Sequence, residues 1–143
     1  MVQVRIATLN DLEDVISIDS EVIGNRSREV ELRKSIEENR CFVGQIDDQI
    51  SGFLVYHKHF FNHIFIDLVI VRPTVRRQGV AKTLMKHVEN IFSADKIFSS
   101  TNKSNEKMQQ VFCSLNYVNS GYIDNLDDGD PEIIFFKKFN NSR

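Results

Sequence analysis

The stretch "VRPTVRRQGVAKTL", residues 71–84, places Arg76, Arg77 and Gly79 where an apolar run gives way to helical spacing. A helix start leaves backbone N–H groups without partners and carries about half a positive charge, so it favours a phosphate-bearing ligand. Gly79 permits close approach of backbone to ligand, and Ala81 keeps the helix wall thin. Arg76 and Arg77 add charge-assisted donors, and Lys82 on the first turn can reach a more distant phosphate. Two commoner phosphate motifs fail on position. A P-loop ending at Lys82-Thr83 requires glycine at Ala81 and Arg76, and a dinucleotide fingerprint opening at Gly79 requires glycine at Ala81. On spacing alone, a solvated arginine loop with a turn glycine stays open beside the anion site.

A second residue with chemical potential is Asp67, the one charged side chain in the run Ile64 to Val71. Alternation puts it on the face of Phe65, Val69 and Val71, and a carboxylate among apolar neighbours is expected to have its pKa raised toward that of a useful base. His57, His59 and His63 gather near a hairpin without a carboxylate at ligand spacing, so no metal site is expected. The segment "DNLDDGDPE" lacks calcium ligands at Leu126 and Phe135 and reads as a turn; its Asp124, Asp127, Asp128 and Asp130 either attract cationic amines or form a solvated acidic loop.

The elements around these residues follow from periodicity. "VQVRIA" alternates as a strand, and Asn10 with Glu13 reads as a capping box opening the helix "DLEDVISIDSEV", with Leu12, Val15, Ile16 and Val22 as its stripe. "SREVELRKSIEENR" is a charged helix burying Val30, Leu32 and Ile36 at the sheet edge. "CFVGQID", "QISGFLVYHKHFF" and "HIFIDLVIV" form a meander. A helix from Gln78 or Gly79 presents Val80, Leu84 and Val88 beside Ala81, Met85 and Phe92; "KIFSST" is a strand; "SNEKMQQVFCSLN" is a helix; and "YVNSGYI" with "EIIFFKKF" is a closing hairpin. The class is α/β with a mixed, mostly antiparallel sheet in the order β-αα-βββ-α-β-α-ββ. Residues 1–139 are expected to form a single domain, with a frayed tail at 140–143.

Composition narrows the function classes. The 18 basic and 20 acidic residues give a net charge of -2, which disfavours a nucleic-acid binder. Cys41 and Cys113, the two cysteines, have neither zinc nor redox spacing, as in a reduced cytoplasmic protein. No apolar stretch is long enough to span a membrane, and the start lacks signal-peptide order.

Arg76-x-x-Gly79-x-Ala81, preceded by "LVIVRP" and followed by a helix, resembles the acetyl-coenzyme A site of the GCN5-related N-acetyltransferase (GNAT) family, and the element order resembles that fold over nearly the whole chain. The resemblance implies a sheet with a splayed centre. It implies that N–H groups of Arg77, Gln78, Gly79, Val80 and Ala81 hold the pyrophosphate, and that Val69, Ile70 and Val71 pair with the pantetheine arm. Asn105 matches the family's cofactor-contacting asparagine, and Phe112 stands on the cofactor side where the family often has a tyrosine acid. Asp67 falls where several members carry a catalytic glutamate. The implied activity is direct acetyl transfer from acetyl-coenzyme A to a primary amine of a small molecule or peptide, with a homodimer left open. Phe112 motivates the alternative, a catalytically weak acyl-coenzyme A binding or sensing module.

Overall fold

The computed structural model describes residues 1–92 and 94–139; the tail expected at 140–143 lies outside them. Seven strands run β1 (Gln3–Ile6), β2 (Cys41–Ile46), β3 (Gln49–Phe60), β4 (His63–Val71), β5 (Lys96–Asn102), β6 (Val118–Ile123) and β7 (Glu132–Lys138). Four helices accompany them: α1 (Leu12–Ile23), α2 (Glu29–Glu37), α3 (Val80–Ile91) and α4 (Glu106–Ser114). The sheet order is β1-β2-β3-β4-β5-β7-β6. The pair β4–β5 is parallel, registering Ile64–Ile66 against Ile97–Ser99, whereas β1–β2, β2–β3, β5–β7 and β6–β7 are antiparallel. The mixed sheet and its element order are those read from the sequence.

The chain groups into two compact units, one of residues 1–56 and 68–91, the other of 57–67 and the described residues from 92 onward. In the first, one face of β2 and β3 carries Cys41, Val43, Phe53 and Val55 against Val15, Ile16 and Ile18 of α1 and Leu32 and Ile36 of α2. The other face carries Phe42, Leu54 and Tyr56, and α3 is the helix beside it: the His87 ring sits edge-on to Phe42 at 4.8 Å. Of the stripe expected on α3, Val80, Leu84, Met85 and Val88 are buried, whereas Ala81 is only half-buried and Phe92 lies past the end of the helix.

Three helical expectations need correction. A short 3-10 turn, Leu9–Asp11, precedes α1, and its pairing is Thr8 with Asp11 rather than Asn10 with Glu13: the Thr8 N–H donates to Asp11 Oδ2 at 2.8 Å. The Arg5 guanidinium donates to the same carboxylate at 2.8 and 2.9 Å, a fork between β1 and the turn that helical spacing does not show. On α1 the buried set includes Ile18 and Asp19 while Val22 is exposed, and on α2 Val30 is 76% exposed. Asp19 is buried because Arg28 donates to it twice, at 2.6 and 3.0 Å, which fixes the α1–α2 turn.

In the second unit, burial alternates along β5: Ile97, Ser99 and Thr101 are buried, and Lys96, Phe98, Ser100 and Asn102 are not. The Ser99 hydroxyl donates to the Ile66 carbonyl at 2.8 Å, satisfying a buried polar group. The Phe112 ring of α4 stacks on Phe135 at 4.7 Å and lies 5.8 Å from Tyr117. All six residues of β6 are exposed, and its register with β7 shifts between Asn119 and Tyr122.

Candidate cofactor site and catalytic carboxylate

The main chain leaving β4 turns sharply. Arg72 donates its N–H to the Ser51 carbonyl at 2.8 Å and accepts from Val75 N–H at 3.0 Å, closing the 3-10 turn Pro73–Val75. Arg76 follows in extended conformation, then Arg77 at φ 74 and Gly79 at φ 79. Left-handed residues spaced one apart, as Arg77 and Gly79 are, belong to the backbone shapes from which anion-binding concavities are built. The first bond of α3 runs from Thr83 N–H to the Gly79 carbonyl at 2.9 Å, and the Thr83 hydroxyl donates to the same oxygen at 2.8 Å. Among the described residues, the N–H groups of Arg76 to Lys82 have no acceptor.

Space above this run is open. Arg76, Arg77, Gln78, Gly79 and Lys82 are exposed, and a Cβ placed on Gly79 would meet no atom within 4 Å. Arg76, Arg77 and Lys82 form no ion pair among the described residues, so their charge is available to a ligand. A diphosphate therefore fits the residues present: donors without acceptors, unpaired cations and an open cradle. Arg72 differs, because its guanidinium donates to Glu21 at 2.6 Å and to the Ile50 carbonyl at 3.5 Å. It braces the strand end against α1.

A glycine pair fixes the height of the helix start. Gly44 and Gly52 are cross-strand partners on β2 and β3. A Cβ on Gly52 would lie 2.8 Å from both Val80 Cγ1 and the Ile70 carbonyl oxygen, and one on Gly44 would lie 3.3 Å from the same methyl. Two absent side chains thus let buried Val80 seat α3 against the sheet, beside the half-buried Val69, Ile70 and Val71 of β4. Sequence reading missed this device, although glycine inside two apolar strands is its signal. It also assigned the special backbone to Gly79 and overlooked Arg77.

The remaining residues lie in the second unit. Asp67 is exposed and makes no hydrogen bond or ion pair among the described residues. It is a free carboxylate on the face of Phe65, without the burial expected from its neighbours. Asn105 caps α4, its Oδ1 accepting from Met108 N–H at 3.2 Å, and its amide nitrogen has no acceptor among the described residues. Phe112 must be corrected: it is 0% exposed and stacked on Phe135, so its ring has no surface for a cofactor. It is a core residue.

Other features resolve more plainly. His57 stacks on Phe65 at 5.4 Å and its Nδ1 accepts from His59 N–H at 3.1 Å, while His63 lies 5.6 Å from the Phe98 ring. Among the described residues no three His, Cys, Asp or Glu side chains converge as metal ligands. In the acidic loop, Asp127 accepts from Asn102 at 2.9 Å and Asp130 from Ser104 at 2.6 and 3.0 Å, so these two hold the loop shape. Burial pushes the Cys41 thiol up to about 12, which makes it inert, and Cys113 is exposed. No helix among the described residues is long and apolar enough to cross a membrane.

A strand-to-helix joint with open N–H groups, on a mixed sheet of this order, is the arrangement of an acetyltransferase fold. Residues 9–117 match the Acetyltransferase (GNAT) family, and the chain belongs to that family and is an acetyltransferase. It is similar to an acetyltransferase of the GNAT family from Bacillus cereus, with 47% identity, a TM-score of 0.93, and coverage of 96% of this chain and 97% of the other. In fold it is also similar to an Escherichia coli ribosomal-protein alanine N-acetyltransferase (14% identity, TM-score 0.84, covering 100% and 97%). A third similarity is to a Staphylococcus aureus N-acetyltransferase (15% identity, TM-score 0.76, covering 96% and 98%). Among curated proteins none matches.

Proposed function

We propose that the chain transfers the acetyl group of acetyl-coenzyme A directly to a primary amine, with residues 1–139 acting as one acetyltransferase domain. The observation that carries this reading is the run of N–H groups from Arg76 to Lys82 that no acceptor claims. Backbone groups of Arg77, Gln78, Gly79, Val80 and Ala81 hold the diphosphate, with Arg76, Arg77 and Lys82 adding charge. The main chain at Val69, Ile70 and Val71 meets the amides of the pantetheine arm, and the free amide nitrogen of Asn105 is a further donor.

When bound, acetyl-coenzyme A supplies the thioester carbon. An alkylamine of pKa near 10.4 must lose a proton first, at a cost of about 4.6 kcal/mol at pH 7. Asp67 accepts that proton, directly or through water, and the exposed position of the carboxylate leaves it open to an ammonium. The C–N bond forms, the C–S bond breaks, and the thiolate leaves. A thiol of pKa about 8.5 departs tolerably without a dedicated acid. This matters because Phe112 has no hydroxyl, which favours a second reading, a weakly catalytic acyl-coenzyme A sensor.

Melting with saturating acetyl-coenzyme A tests the first step: at 100 times its Kd the ligand adds about 2.7 kcal/mol of stability. Thiol release across a panel of amines then separates enzyme from sensor. An unshifted melting curve rejects both readings.

A further inference from the structure

We propose that the acceptor amine carries a flat apolar group, which lies on a row of phenylalanine rings sharing the sheet face of Asp67; this rests on the transferase reading above. In the unit of β4, β5, β7 and α4, one sheet face is covered: Ile64, Ile66, Ile97 and Ser99 are buried, and Phe112 of α4 stacks on Phe135. α4 is the only helix of this unit among the described residues. The opposite face carries Phe65 and Asp67 on β4, Phe98 on β5 and Phe136 on β7, none of them fully buried.

The rings on that face form a continuous row. Phe60 lies 4.9 Å from Phe65 and 5.0 Å from Phe98, and Phe98 stacks on its register partner Phe136 at 5.7 Å. His57 extends the row by stacking on Phe65. At the hairpin tip Phe61 is 82% exposed, edge-on to Phe60 at 5.0 Å, and held at φ 51. Phe61 and Asn62, at φ 51 and 65, form the two-residue turn of this hairpin, as Asp47 and Asp48 do at φ 51 and 65 between β2 and β3, so the turn itself sets that backbone and displays the ring at its tip.

Charge completes the match. Asp67 stands two residues along β4 from Phe65, about 6.6 Å at the rise of a strand. Glu132, on the same face as Phe98 and Phe136 by register, accepts from Ser100 Oγ at 2.5 Å. An aromatic row with the Asp67 carboxylate two residues beyond Phe65 suits a ligand with a ring at one end and an ammonium at the other. Ring stacking and a cation beside a carboxylate are both satisfied by a short arylalkylamine, whereas a polyamine or amino alcohol brings no ring to stack.

The test compares 2-phenylethylamine with n-butylamine as acceptors, following thiol release. The expected kcat/KM ratio is about tenfold or more in favour of the aryl amine, and both Phe98→Leu and Phe98→Ala should lower it about tenfold; the leucine variant keeps apolar bulk should the alanine variant not fold. Saturation-transfer NMR with coenzyme A present should show the aryl protons of 2-phenylethylamine in contact with the protein. A wild-type ratio near one, a ratio unmoved by the folded variant, or no saturation transfer overturns the inference. If acetyl-coenzyme A still shifts melting in that case, the transferase reading survives; if it does not, both fall together.

Discussion

Replacing Gly52 by alanine puts the seating of α3 to the test. The added Cβ would lie 2.8 Å from the Ile70 carbonyl oxygen and 2.8 Å from Val80 Cγ1, about 0.6 Å inside the 3.4 Å at which ordinary contact begins. The valine can turn only within a packed core, since it is 2% exposed, and the carbonyl belongs to strand backbone and cannot rotate away. Overpacking of this kind costs about 1–3 kcal/mol. Urea denaturation should show that loss as a lower midpoint at unchanged slope. The displaced backbone also carries the start of the stretch proposed to hold the diphosphate, so the melting shift given by a fixed acetyl-coenzyme A concentration should shrink. Gly44→Ala serves as the control: its Cβ would meet only side-chain carbons, at 3.3 and 3.4 Å and beyond, and these can yield. A Gly52→Ala protein as stable as the parent, or less harmed than Gly44→Ala, would show that the close approach does not set the helix position.

Three further outcomes follow from the geometry. Asp67→Asn should lower kcat about 10²- to 10⁴-fold while leaving the acetyl-coenzyme A melting shift in place, and an unchanged rate would remove Asp67 as the base. Arg77→Gly relieves left-handed strain of about 1–2 kcal/mol against a glycine entropy cost of about 0.5–1, so stability should hold or rise by roughly 1 kcal/mol while cofactor affinity drops; clear destabilisation contradicts the strain. The Arg5 fork, with help from the Thr8 N–H and against the effect of burial, holds the Asp11 carboxyl below the usual range. The folded state therefore binds that proton less readily than the unfolded one, so the stabilisation is complete above a pKa of about 3.9 and lost as pH falls through the lower folded value. Stability measured against pH should lose part of its acid limb in Asp11→Asn, and an identical limb would exclude this pair as its source.

What the sequence disclosed was local. The β4 segment is bounded as read because a two-residue turn precedes it and Pro73 follows it, and α3, read as starting at Gln78 or Gly79, opens at Val80 because left-handed Gly79 still belongs to the loop. The stretch proposed to hold the diphosphate could be picked out for the same reason: its residues are consecutive. Features that depend on distant partners could not. Asp11 takes its place through Arg5 across the strand, Asp19 is buried through Arg28, and Phe112 becomes core because Phe135 meets it. Val30 looks like part of a helical stripe, yet α2 turns a narrower face, Leu32, Ser35 and Ile36, to the interior. The glycine pair at 44 and 52 acts only once the strands are in register.

The edge strand β6 has a further consequence. An edge whose residues all face solvent offers donors and acceptors to any passing chain, and in a longer, flatter strand that would seed open-ended stacking. Here the step in register between Asn119 and Tyr122, with Gly121 at φ 112, breaks the ladder after a few residues. An incoming strand meets that break in spacing partway along the edge, a device that works against open-ended stacking.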